Sequence, residues 1–262
     1  MIFKQYRYEP LNQASYLVAC WRKGVGFVVD PVMDLGVSFY EREAREFGFS
    51  IVGVLETHIH ADFVSCAAEL AMARACPHYL HEEVRGSLDF KPLTHGQVLE
   101  LGNVRVEVIH TPGHTPEHVS FLISDVTRGD EPWAVLTGDS LLVGDVGRPD
   151  LLVGDQAQGE SDVNERAMLQ FSSIRDRLFT LPEHVEIYPG HYGRSACGGI
   201  NMSAKATSTI YFEKKYNLPM RQPNPEIFAE FVHDTSKPLP EAYELLKKRN
   251  LGLSVDEEEA PA

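Results

Sequence analysis

Runs of β-branched and aromatic residues, broken by polar or glycine positions, open the chain. Residues 3–8, 15–20 and 26–30 each read as a short strand, and Asp30-Pro31 stops the third. Residues 35–48 read as a helix. The apolar run SIVGVL at 50–55 suits a buried strand and stops at Glu56-Thr57. Val64, Ala67, Ala68, Ala71 and Ala75 recur at helical spacing, which predicts a helix over 62–74, ended by Pro77. Residues 104–109 alternate as a strand, and 119–123 and 133–136 read as two more. Over 164–178, Ala167, Phe171, Ile174 and Leu178 fall on one face of an amphipathic helix. A strand at 185–188 follows, then mostly helix over 203–251, broken by prolines at 222–225. This order fits two sheets faced by helices, an α/β (α+β) arrangement with functional loops at strand ends. One domain is expected over 1–252, with an acidic, poorly packing tail at 253–262.

Composition narrows the classes. The 262 residues are 43% hydrophobic and 24% charged, enough apolar content for a full core. The net charge of −14 repels phosphate backbones and anionic lipid, so neither nucleic acid nor a membrane is expected as a partner. No segment approaches the roughly 20 apolar residues of a membrane span. The N-terminal residues 1–7 carry charges and no apolar run, so they do not read as a signal peptide, and a cytoplasmic location is expected. The four cysteines, Cys20, Cys66, Cys76 and Cys197, are scattered with no CxxC and read as free thiols.

Four motifs, each just after a predicted strand, hold the chemistry. They are Thr57-His58-Ile59-His60-Ala61-Asp62-Phe63, His110-Thr111-Pro112-Gly113-His114, Thr137-Gly138-Asp139 and Tyr188-Pro189-Gly190-His191. Loops there can gather distant residues onto one end of a sheet. Imidazole nitrogen with carboxylate oxygen suits zinc, iron or manganese. A lone histidine is more often a hydrogen-bonded core residue than a ligand. His78, His81, His95, His184 and His233 take that reading, and His110 and His118 are expected to be structural. Four motifs in this order make coincidence a poor account of the rest.

Over residues 2–215 the sequence resembles the metallo-β-lactamase superfamily. That implies a four-layer αββα sandwich with a metal site at one edge. The family pattern of HxHxDH, His, bridging Asp and final His falls on His58, His60, Asp62, position 63, His114, Asp139 and His191. Position 63 departs from it. Two-zinc hydrolases such as glyoxalase II carry a second-metal histidine there, whereas Phe63 has no lone pair to give. One metal is therefore expected. The strings THIHADFVS, GDVGRPDLL and HYGRSACG resemble the persulfide dioxygenase (sulfur dioxygenase) branch. That branch holds a single Fe(2+) on a 2-His-1-carboxylate triad, here His58, His114 and Asp139, leaving positions for O2 and substrate. The implied reaction, in sulfide metabolism, oxidises a thiol persulfide such as glutathione persulfide with O2 to sulfite and thiol. His60, Asp62 and His191 would orient the ligands, hold water or steer the substrate. Were the metal Zn(2+), His60 would become a ligand.

Arg148, Tyr192, Arg194 and Cys197 are candidate substrate contacts. Arg148 has a rival reading, pairing with Asp145 or Asp150, and Cys197 one as a small buried residue in a glycine-rich turn. Two other functions compete. One is a zinc-dependent thioester hydrolase of the glyoxalase II type; the other is a non-catalytic sulfur-relay protein using Cys197. A separate sulfurtransferase as persulfide donor, and a homodimer, are compatible with the sequence.

Overall fold

The computed structural model describes residues 1–151, 160–239 and 242–254. Of the expected acidic tail, residues 255–262 lie outside the described residues. The first sheet contains β1 (Ile2–Tyr8), β2 (Gln13–Cys20), β3 (Val25–Val29), β4 (Ser50–Leu55), β5 (His78–His81) and β6 (Lys91–Leu93), in that spatial order. β1, β2 and β3 run antiparallel, and β3 to β6 run parallel. β2 is buried along its whole length. Its side chains alternate between two cores: Tyr16, Val18 and Cys20 face one, Leu17 and Ala19 the other.

The second sheet uses β7 (Val98–Leu101), β8 (Val104–His110), β9 (Val119–Asp125), β10 (Ala134–Gly138), β13 (Glu186–Pro189) and β14 (Ser208–Thr209). Its order is β14-β13-β10-β9-β8-β7, with β10 and β13 parallel. A small ribbon, β11 (Leu141–Leu142) and β12 (Asp145–Val146), lies apart from both sheets. Val106, Val108, Phe121 and Leu136 meet Tyr16, Phe27 and Leu55 between the sheets. Outside the first sheet, α1 (Val37–Glu46) and α2 (Ala67–Ala73) bring Tyr40, Ala44, Ala67 and Leu70 onto Leu17, Val28 and Val54. Outside the second, α3 (Glu160–Ser173) and the π-helical turn Ile174–Leu178 pack Ala167, Phe171, Ile174 and Leu178 on Val135 and Ile187. α5 (Pro225–Thr235) joins that layer through Phe228, Ala229 and Val232. The result is the αββα order expected from the resemblance.

The helix expected over 62–74 starts only at Ala67. Residues 61–63 bend and 64–66 pair with the segment after β3, which keeps both out of the helix. Met33 donates to the Val64 carbonyl at 2.9 Å, and Cys66 donates to that of Pro31 at 3.1 Å. The C-terminal stretch is also more divided than its pattern suggests. It contains β14, α4 (Ile210–Tyr216), a 3-10 turn at Pro219–Arg221, α5 and α6 (Tyr243–Asn250).

Candidate metal centre

The four motifs converge at one edge of the sandwich. β4 delivers His58 and His60, β10 delivers Asp139, and β13 delivers His191. His114 stands in the loop between β8 and β9. His58, His114 and Asp139 are buried, and their candidate donor atoms all lie within 4.8 Å of one another. His58 Nε2 and His114 Nε2 are each 3.7 Å from Asp139 Oδ2.

Each of these side chains is held by a hydrogen bond that also fixes its chemistry. The Asp30 carboxylate accepts from the Thr57 N–H at 2.8 Å and from the Thr57 hydroxyl at 2.9 Å. That hydroxyl is thereby left to accept from His58 Nδ1, 2.9 Å away, so the lone pair of His58 sits on Nε2. His114 Nδ1 donates to the Arg148 carbonyl at 2.6 Å. Its Nε2 is buried with no partner among the described residues, as a lone pair directed at a cation would be. Burial, together with the charges of neighbouring histidines, holds His58 well below its usual pKa. Burial also lowers His114, against the pull of Asp139. Two neutral imidazoles and one carboxylate form a donor set that fits a first-row dication.

Asp139 is positioned from three sides. Its backbone N–H donates to His118 Nε2 at 3.0 Å. His118 Nδ1 in turn lies 2.8 Å from the Thr111 hydroxyl, which is 3.0 Å from that of Ser120. Burial and the neighbouring histidines hold His118 neutral, which lets it accept. Gly138 takes a left-handed φ of 49°, and a Cβ there would fall 2.5 Å from His118 Nε2. On the far side His191 Nδ1 lies 2.8 and 2.9 Å from the two Asp139 oxygens.

The other half of the site holds Phe63, His60, Asp62 and His191. The Phe63 ring is buried with its centroid 4.3 Å from that of His60. His60 Nε2 lies 3.3 Å from Asp30 Oδ1, yet neither ring nitrogen completes a hydrogen bond among the described residues. His191 stands between two carboxylates, with Nε2 2.8 Å from Asp62 Oδ2. Burial opposes charge on His191, but Asp139 and Asp62 outweigh it and raise its pKa well above the usual value. Cys197 joins Asp62 and His191 in a second cluster. Burial and the charges of Asp62 and Asp139 push its thiol well above the usual pKa, so the protonated form is held there.

The remaining candidates do not all reach this place. The Arg148 guanidinium is clamped by both oxygens of Asp150, at 2.6 and 2.7 Å, and by the Pro238 carbonyl at 3.0 Å. It is therefore not the open fork that carboxylate binding requires; its backbone carbonyl is the part that meets the site. Tyr192 is buried in the core between the sheets, with Arg7 5.8 Å over its ring, which takes it away from the triad. Arg194 is exposed. His81, Glu83 and His110 form a further cluster. It is a poor cation cage, because the His81 and His110 rings stack at 4.0 Å and His110 Nε2 is 2.8 Å from the Pro116 carbonyl. Arg177 adds positive charge there, donating to the His110 carbonyl.

Several residues at the site gave no signal in the sequence. Asp30 reads only as a strand stop, yet it anchors Thr57. Asn250, near the C-terminus, donates to the carbonyls of His60 at 2.9 Å and Phe63 at 2.7 Å. It also accepts from the Ser65 N–H at 3.0 Å.

Residues 8–191 match the family model of the metallo-beta-lactamase superfamily, and the chain belongs to that superfamily. A crystal structure of a metallo-beta-lactamase from Staphylococcus aureus subsp. aureus COL superposes with a TM-score of 0.86 at 33% identity, covering 99% of this chain and 75% of that one. Human persulfide dioxygenase ETHE1, mitochondrial, is 24% identical over 97% of this chain and 89% of its own length. The probable metallo-hydrolase YqgX of Bacillus subtilis is 30% identical over 56% of this chain and 71% of its own.

Proposed function

We propose that the protein is a mononuclear non-haem iron dioxygenase acting on thiol persulfides, glutathione persulfide among them. The observation that carries this reading is the asymmetry of the site. His58, His114 and Asp139 converge, with His114 Nε2 unpartnered among the described residues and the His58 lone pair left on Nε2, while the buried Phe63 ring stands in the other half with no lone pair to give. Likeness to a persulfide dioxygenase across 97% of the chain supports it. Fe(2+) on a two-histidine, one-carboxylate face would supply adjacent open positions for O2 and a sulfur anion.

The chain's own residues do the rest. Thr57, backed by Asp30, fixes the His58 tautomer; the Arg148 carbonyl does the same for His114. His118 and His191 hold Asp139 by its N–H and its oxygens. His191, whose pKa the neighbouring Asp139 and Asp62 carboxylates raise, would supply a proton to the departing thiol. The Phe63 ring lies buried in the second half and offers no lone pair there. The balance is RSS⁻ plus O2 plus H2O to RSH plus hydrogen sulfite.

The rival is a zinc thioester hydrolase, favoured by likeness to a protein named a probable metallo-hydrolase. Protein from iron-replete cells separates the two. The dioxygenase reading expects O2 uptake with glutathione persulfide and sulfite as product. Stoichiometric zinc with turnover of S-lactoylglutathione and no O2 uptake would contradict it.

A further inference from the structure

α3 carries two stripes. Ala167 and Phe171, continued by Ile174 and Leu178, pack on the second sheet. Arg166, Gln170 and Ser173 stand at i, i+4 and i+7 and so share another face. Each of these three donates to a backbone carbonyl in a loop around the triad. Arg166 Nε donates to Pro149 at 2.9 Å. Gln170 Nε2 donates to Ser140 at 3.1 Å and to Gly147 at 2.9 Å. Ser173 Oγ donates to Pro112 at 2.8 Å. These carbonyls flank the converging side chains. Ser140 follows Asp139, and Pro112 precedes Gly113-His114. Gly147 and Pro149 lie on either side of Arg148, whose own carbonyl meets His114 Nδ1. With both neighbours turned to α3, the middle carbonyl is left for the histidine.

Gln170 is the centre of this stripe. It is fully buried, and both hydrogens of its amide are used. Gly113 lies against it: a Cβ on Gly113 would collide with the Gln170 Cβ and fall 2.5 Å from its Cα. One side chain therefore touches the His114 loop by packing and the Asp139 and Arg148 loops by hydrogen bonds. A buried helix position ordinarily takes an apolar residue, and burying an amide costs free energy wherever a polar atom stays unpaired. Gln170 Oε1 has no partner among the described residues. The amide is thus kept in place by its two donor bonds, which an apolar residue could not make.

Resting on the metal-centre reading of His58, His114 and Asp139, we infer that Gln170 is a positioning residue for that centre. It sets the approach of His114 Nε2 to Asp139 Oδ2, 3.7 Å apart, and the direction from which the Arg148 carbonyl meets His114. Arg166 and Ser173 steady it from either side. His58 is held separately, by Thr57 and Asp30 from the first sheet. A change at Gln170 therefore moves two of the three side chains relative to the third.

Cobalt(II) is the probe, because its visible absorption reports coordination geometry without turnover. Titration of the metal-free full chain against a chelating dye gives the affinity. Gln170→Met keeps length and helix propensity but has no N–H to donate. It should bind cobalt about 10- to 100-fold more weakly and shift the absorption bands of the bound ion. Gln170→Glu puts an acceptor where the donor stood and should lose at least as much. A merely structural glutamine would lower the unfolding midpoint of the metal-free protein and leave affinity and bands of the folded protein as in wild type. That result would overturn the inference. Should Gln170→Met not fold, the double variant Arg166→Met, Ser173→Ala decides. It should lose about tenfold with shifted bands, and wild-type values in it would overturn the inference equally. Wild-type protein that binds no cobalt would refute the metal centre itself, and the inference with it.

Discussion

Asp30 ties the first metal motif to the scaffold. With φ at 50° it turns the chain out of β3, and its carboxylate meets Thr57 twice and approaches His60. Removing it frees the Thr57 hydroxyl to rotate and the His58 ring to change tautomer. Asp30→Ala should therefore weaken metal binding roughly 10- to 100-fold, as outer-shell losses commonly do. Competition with a chelating dye measures it, and unchanged affinity would refute the relay. Sequence reading did single out the three side chains that converge, His58, His114 and Asp139, because metal chemistry restricts residue types so tightly. It missed Asp30, since one carboxylate after a strand looks like any other turn. It could not place Tyr192, which packs into the core between the sheets, because side-chain direction depends on the turn after His191 and not on distance along the chain.

His81 makes a residue-scale prediction about pH. Burial and the charges of His110, His95 and Arg177 push it down to about 4, against an ordinary value of 6.5. The folded state then binds fewer protons than the unfolded state between those values. The contribution of His81 to stability is present above 6.5 and is lost as pH falls through about 4. Denaturant midpoints at pH 7 and pH 5 should differ less in His81→Gln than in wild type. An identical difference would mean that His81 titrates normally.

At the scale of elements, α6 is the piece that periodicity describes worst. Its sequence YELLKKRN offers Leu245 and Leu246 as the apolar face, yet the buried pair is Lys247 and Asn250. Those positions answer to backbone carbonyls and to the metal centre, which no hydrophobic pattern encodes. The loop before α2 was misread for a related reason. Its alanines and Val64 repeat as in a helix, but backbone pairing with the segment after β3 and the grip of Asn250 keep it non-helical. Asn250→Ala removes three hydrogen bonds to or from that loop, to His60, Phe63 and Ser65. It should cost about 1–3 kcal/mol, since it leaves buried carbonyls unpaired. Chemical denaturation gives the figure, and a loss near zero would show that the loop holds itself.

For the whole molecule, the layers follow from burial that a linear pattern does record. β2 is apolar on both faces because it lies between the inter-sheet core and the α1–α2 layer. The short strands β5 and β6 escaped notice because β5 begins and ends on histidine, β6 is only Lys91-Pro92-Leu93, and both are held by parallel neighbours. The sandwich brings loops from both sheets to one edge, and on the one-metal reading proposed above Phe63 there limits the centre to one ion. Restoring a ligand should reverse it: Phe63→His is expected to bind a second zinc ion beside Asp62 and His191.

The number of metal ions per chain is the most direct test. Elemental analysis of the purified wild-type protein should find one equivalent, lost in Asp139→Ala and doubled in zinc-loaded Phe63→His. Two equivalents in the wild type, or one retained by Asp139→Ala, would contradict a one-metal centre built on His58, His114 and Asp139.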